Sequence, residues 1–188
     1  MKKLNLGCGF DRRDDYVNAD NFKECNPEIL ISTRETKWLF EDNELDHILT
    51  KQVLEHVGKD YEEFRAIMKE LYRITKNQGT IEIHVPHFRH DTFWSDPTHV
   101  RAFTPLTFQM MSKSQNDEWI RRKANYSMIA YEMGVNFEII NLAQVYDTFW
   151  LQKEAKGEIK RDELRQIAGR QWNVVKELQI TLKTIKPF

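Results

Sequence analysis

Leu4-Asn5-Leu6-Gly7-Cys8-Gly9, with Tyr16-Val17-Asn18-Ala19-Asp20 shortly after it, is a short apolar strand entering two glycines, then a second short strand ending on a carboxylate. Glycine at such a turn has no Cβ and tolerates positive φ, so the backbone can come close to a ligand. A carboxylate at the tip of the neighbouring strand can accept hydrogen bonds from a ribose diol. The pair predicts a nucleoside-type cofactor lying across the carboxyl ends of adjacent parallel strands. A dinucleotide fingerprint would want G-x-G-x-x-G, but Phe10, Asp11 and Arg12 follow Gly9 and the third glycine is missing.

Working outward, Ile29–Ser32 and Leu45–Thr50 read as further strands, the second preceded by the polar turn Glu41-Asp42-Asn43-Glu44. From Asp60 the period changes. Tyr61, Phe64, Met68, Leu71, Tyr72 and Thr75 fall at helical spacing, with Asp60 and Glu63 as a capping pair. Asn77-Gln78-Gly79 is expected to end that helix, and Thr80–Val85 to form a strand closed by Pro86. The region 87–134 is irregular and aromatic. Phe137–Tyr146 and Val174–Ile185 read as extended and Ile159–Trp172 as helical, since Leu178, Ile180 and Leu182 alternate with polar residues. Strands alternating with helices predict an α/β fold with a mainly parallel sheet and an antiparallel C-terminal strand pair.

The 188 residues suffice for one domain with a full core, so 1–188 reads as a single unit with 87–134 inserted as a substrate or lid region. Hydrophobic residues at 40% and charged residues at 30% describe a globular chain. A net charge of −1 supplies no basic field for nucleic acid or an anionic membrane. No apolar run reaches the roughly 18 residues of a membrane span, and no signal-peptide pattern opens the chain. Cys8 and Cys25 read as free thiols of a cytoplasmic protein. The aromatic middle leaves room for a homodimer surface.

The series of motifs resembles the class I S-adenosylmethionine-dependent methyltransferases, and in feel those of bacteria that act on small molecules and glycans. Leu4–Gly9 resembles the family's first motif. Glu41–Asp46 is similar to the acidic turn before its fourth strand, and Leu54-Glu55-His56-Val57 to the segment after it. Leu71 to Ile83 is similar to its helix, turn and fifth strand. The resemblance implies a Rossmann-like fold, S-adenosylmethionine as cofactor, and a cofactor site drawn from Leu6, Gly7, Cys8, Gly9, Asp20, Asn21, Ser32, Thr33, Gln52 and His56. It departs in two places. Only Phe10 to Asp15 separate the first two strands, so the first helix is expected to be nearly absent, leaving turn N–H groups and Arg12 or Arg13 for the cofactor's carboxylate. Near the adenine, Ser32 and Thr33 stand where the family often has an acid.

The second motif-bearing stretch runs from His84 to His99 and contains four of the six histidines. It leaves the carboxyl end of the expected fifth strand, the edge where open α/β sheets bind ligands. Methyl transfer needs an aligned acceptor, and for an alcohol or amine a base to take its proton. His99 is the first candidate, with Asp96 as its supporter or alternate and His87 next. Asp96-Pro97-Thr98-His99 resembles a segment of methyltransferases acting on sugars, so a sugar or sugar phosphate is the favoured small-molecule acceptor. Two other readings stand beside this one: histidines that bond backbone, and metal ligands drawn from His87, His90 and His99 with Asp91 or Asp96. Phe93 and Trp94 are candidate pocket walls, and Arg89 and Arg101 candidate anion binders or salt-bridge partners. His47 and His56 read as structural or, for His56, as packing under the cofactor. The wider alternatives are a metal-dependent enzyme built on the histidine loop and a cofactor-binding subunit without activity of its own.

Overall fold

The computed structural model describes residues 1–32 and 37–188. Seven strands form one sheet in the order β3-β2-β1-β4-β5-β7-β6. They are β1 (Lys3–Leu6), β2 (Val17–Asp20), β3 (Ile29–Leu30), β4 (Leu45–Lys51), β5 (Thr75–Pro86), β6 (Phe137–Tyr146) and β7 (Val175–Thr184). The first five pair in parallel. β7 runs antiparallel to both β5 and β6. This is the expected mainly parallel sheet with its antiparallel C-terminal pair. The strand order reverses between β1 and β4, and a crevice opens at such a switch point at the carboxyl ends of the strands.

Helix α1 (Tyr61–Ile74) begins where Asp60 accepts the Glu63 N–H at 2.9 Å, and buries Phe64, Ile67, Met68, Leu71 and Ile74. Their three- and four-residue spacing puts all five on one face, against the sheet. The helix stops at Ile74, earlier than expected, and β5 begins at once. Asn77-Gln78-Gly79 therefore falls inside the strand run, where pairing jumps from Leu45–Thr75 to His47–Thr80 and the extra residues form an irregularity. Central strands β1, β4 and β5 carry the fully buried Leu4, Leu45, Ile48, Ile81, Ile83 and Val85.

No helix joins β1 to β2. The loop is held by two buried amides instead. Asn5 donates to the Asp11 carbonyl (2.8 Å) and to Asn18 Oδ1 (3.0 Å), and Asn18 Oδ1 also accepts the Arg13 N–H (2.9 Å). Region 87–134 is more ordered than its composition suggests. It contains α2 (Asp91–Ser95), α3 (Pro105–Gln109), α4 (Lys113–Arg121) and α5 (Ile129–Met133). Helices α6 (Thr148–Ala155) and α7 (Arg161–Ala168) lie between β6 and β7. Among the described residues no helix is long and apolar enough to cross a membrane.

Candidate functional site

The β1 end bends back on β2. Gly7 and Cys8 both donate to the Ala19 carbonyl, at 2.7 and 3.1 Å. Gly9 then donates to Asp20 Oδ2 at 2.8 Å, while Asp20 Oδ1 accepts the Phe22 N–H at 2.8 Å. Asp20 is thus fixed against the turn, as the sequence placed it. A carboxylate has about four acceptor positions, so two remain for a diol.

The two glycines do different work. At Gly7 (φ +68°) a Cβ would meet Val53 Cγ2 at 2.2 Å, so the position is closed by packing. At Gly9 (φ +49°) a Cβ would meet nothing within 4 Å. The space in front of Gly9 is a cavity of about 490 Å³, within the range of cofactor sites. Gly7, Gly9, Asp20 and Asn21 bound one side, and Gln52, His56 and Thr98 the other. Leu6, Ile31, Val53 and Val57 give it apolar surface. Gly7→Ala is therefore expected to cost about 2–4 kcal/mol of stability through overpacking and left-handed strain. Gly9→Ala should cost only about 1 kcal/mol but weaken binding of S-adenosylhomocysteine. Thermal melts and calorimetry on the two variants check this, and equal losses of stability would contradict it.

The far wall includes His56, against which His99 packs. Residues 54–56 form a single 3-10 turn after β4. The Glu55 carbonyl accepts the Val100 and Arg101 N–H groups at 2.8 and 3.2 Å, which docks the segment after α2 onto that turn. Arg101 completes the junction by donating to the Gly58 carbonyl at 2.7 Å, its guanidinium over the Phe64 ring. The His56 and His99 rings meet edge to face, 4.6 Å apart. His99 Nδ1 lies 2.6 Å from the Phe93 carbonyl, which can only accept, so the proton is on Nδ1 and Nε2 carries the lone pair. Thr98 donates its hydroxyl to Asp96 Oδ1 (2.6 Å), so His56 Nδ1 donates to Thr98 Oγ1 (2.8 Å) and its Nε2 is likewise unprotonated. Burial, and then His99, hold the His56 pKa below the ordinary histidine value.

Residues 9–83, the span from the glycine turn through β5, match the family model described as a methyltransferase domain. Over that span the chain is similar to a methyltransferase domain. No protein of curated function matches the sequence. The fold is similar to that of a methyltransferase from Archaeoglobus fulgidus, with a TM-score of 0.62 at 16% identity over 98% of this chain and 86% of that one. A putative methyltransferase from Listeria monocytogenes gives 0.54 at 14% identity, covering 98% and 91%. A structure of the Haloferax volcanii Trm112 methyltransferase activator with a putative methyltransferase gives 0.58 at 13%, covering 100% and 83%. At these identities the likeness is one of fold.

Several residues singled out in the sequence stand elsewhere. Cys8 is buried behind the turn and is not part of the cavity wall, and burial, then Cys25, push its thiol up to about 12. Arg12 pairs with Glu28 at 2.7 Å, and Arg13 lies 3.6 Å from Asp11. Neither lines the cavity. Ser32 is half-buried beyond β3, and Thr33 lies outside the described residues. His87 is buried, accepts the Arg89 N–H at 3.2 Å and is held neutral by desolvation, its pKa lowered to about 4. His90 caps α2 by accepting the Thr92 N–H. These two histidines do not meet His99 in a set of potential ligand atoms among the described residues. Asp96 sits 3.9 Å from His99 Nε2, on the lone-pair side and not behind Nδ1, where the Phe93 carbonyl fixes the tautomer. Arg89 and Arg101 bond backbone carbonyls, Gly169 at 2.9 Å and Gly58 at 2.7 Å, and neither pairs with Asp91 or Asp96. Phe93 is buried beside His99, whereas Trp94 is 64% exposed. His47 bonds Thr80 inside the sheet.

Sequence reasoning missed Val53, Val57, Ile31 and Thr98 as cavity residues, and passed over Glu55. That carboxylate is fully buried beside both histidines, with neither oxygen hydrogen-bonded. Burial, then Glu177 and Asp96, push it up to about 7. A larger groove of about 1140 Å³ runs along α1 to the C-terminal residues, and none of the expected site residues lines it.

Proposed function

We propose that the protein is a class I S-adenosylmethionine-dependent methyltransferase that acts on an oxygen or nitrogen of a small molecule, a sugar or sugar phosphate being the favoured class, in one domain whose 87–134 region shapes the acceptor site. The observation that supports this is His99, with Nδ1 held by the Phe93 carbonyl and Nε2 unprotonated, packed against His56 of the cavity that Gly9 and Asp20 bound. Bound there, S-adenosylmethionine supplies an electrophilic sulfonium methyl; the C–S bond breaks with its electron pair staying on sulfur, and a bond from carbon to the acceptor forms. Asp20 and the glycine turn hold the ribose end, and the acceptor's proton leaves toward His99 Nε2, where Asp96 can hold the resulting charge. Val100 and Arg101, just after His99, dock that segment on the Glu55 carbonyl.

The test uses methyl-labelled S-adenosylmethionine with a panel of monosaccharides, sugar phosphates and small amines. Label on a hydroxyl or amine of a panel member, with S-adenosylhomocysteine formed in equal amount, is expected. Label found only on a macromolecule would overturn the small-molecule reading.

A further inference from the structure

Glu55 is an anomaly unless something positive reaches it. Among the described residues no lysine or arginine pairs with this carboxylate, although it is fully buried and both its oxygens lack a hydrogen-bond partner. A buried ionised group without a partner is strongly disfavoured. Around it, His56 and His99 each have Nδ1 engaged by an oxygen, which turns an unprotonated Nε2 outward as a donor. One ligand atom from each of Glu55, His56 and His99 lies within 4.8 Å of the others. We propose that these three residues bind one divalent first-row transition-metal ion, whose open positions face the acceptor.

Donors about 2.0–2.2 Å from one ion stand about 3.0–3.6 Å apart, so modest side-chain rotation closes the set. Two imidazoles and one carboxylate suit zinc, iron, cobalt or manganese, while magnesium and calcium prefer all-oxygen shells. The outer shell is already built. The Phe93 carbonyl orients His99, and Thr98 with Asp96 behind it orients His56. The inference rests on the reading above and changes one step of it: with His99 Nε2 occupied as a ligand, the ion would lower the acceptor's pKa as it does that of bound water, and the proton would leave to Asp96, 3.9 Å from that nitrogen. The other group of close donors, Cys8, Asp20 and Cys25, is already satisfied, with Asp20 holding Gly9 and Phe22 and Cys25 donating to the Phe22 carbonyl at 2.9 Å.

The full chain, free of any histidine tag and stripped with chelator, is titrated with Zn²⁺ and with Co²⁺, and separately with S-adenosylhomocysteine. One ion per chain is expected, with a Co²⁺ ligand-field band. Affinity should fall roughly 10- to 100-fold in Glu55→Gln and in His99→Ala, and stay unchanged in Cys25→Ser. A melt in chelator confirms that Glu55→Gln is folded. No stoichiometric ion, equal affinity in both site variants, or loss of the ion with Cys25→Ser overturns the metal site. If S-adenosylhomocysteine binds and the ion does not, only the metal inference falls. If the ion binds and S-adenosylhomocysteine does not, the methyltransferase reading is what fails.

Discussion

Assayed in chelator, His99→Ala is expected to lower kcat for methyl transfer by about 10²- to 10⁴-fold, the usual contribution of a positioned proton acceptor, and to leave S-adenosylhomocysteine affinity within about twofold. The expectation follows from geometry. The Phe93 carbonyl holds the proton on Nδ1, so the lone pair is on Nε2, and the ring packs against His56, a residue of the cavity wall. Asp96, 3.9 Å away, stabilises the protonated ring without fixing its tautomer, so Asp96→Asn should cost less than His99→Ala. Steady-state kinetics with calorimetry on the same preparations decide the matter. A variant with ordinary kcat and weakened cofactor binding would move His99 from the chemistry to the binding wall.

Glu55→Gln in chelator should be more stable than the parent protein at pH 8 and equal to it near pH 4.5. In the folded chain the Glu55 pKa is raised from 4.5 to about 7, chiefly by burial. Between those values the native state holds a proton that the unfolded chain has released. Stability therefore falls as pH rises through that window and is level above it. The full difference is on the order of 3 kcal/mol, since a tenfold change in proton affinity is worth about 1.4 kcal/mol. For a chain of this size that is a rise of roughly 6–12 °C in Tm for the variant at pH 8. Glutamine resembles the protonated acid, so the variant's stability should not depend on pH at this site. A variant less stable than its parent at pH 8 in chelator would show that the carboxylate has a partner.

What could be read in advance divides along physical lines. The glycine turn, Asp20, α1 and the antiparallel pair were legible because strand alternation, helical spacing and positive-φ turns are local properties. Phe137–Tyr146 matched to the residue. The short helices α2 to α5 were not legible, since pieces of five to nine residues carry too little periodicity. Histidine function was legible only in part. His87, His90 and His99 look alike in sequence, and what separates them is that His99 packs against His56 of the cavity wall. Glu55 was illegible for a different reason. Glutamate is ordinarily exposed, and no pattern in Leu54-Glu55-His56-Val57 says that Val100 and Arg101 will fold over it. For Arg89 and Arg101 the expected salt bridges with Asp91 or Asp96 gave way to bonds with backbone carbonyls.

The central claim is that the turn from Leu6 to Gly9, with Asp20, holds an adenosyl cofactor. Calorimetric titration of the intact chain with S-adenosylhomocysteine, beside Asp20→Ala, tests it most directly. One molecule bound per chain, with affinity lower by at least tenfold (about 1.4 kcal/mol) in the variant, is the predicted result. No binding by the parent chain, or the same affinity in both, would contradict it.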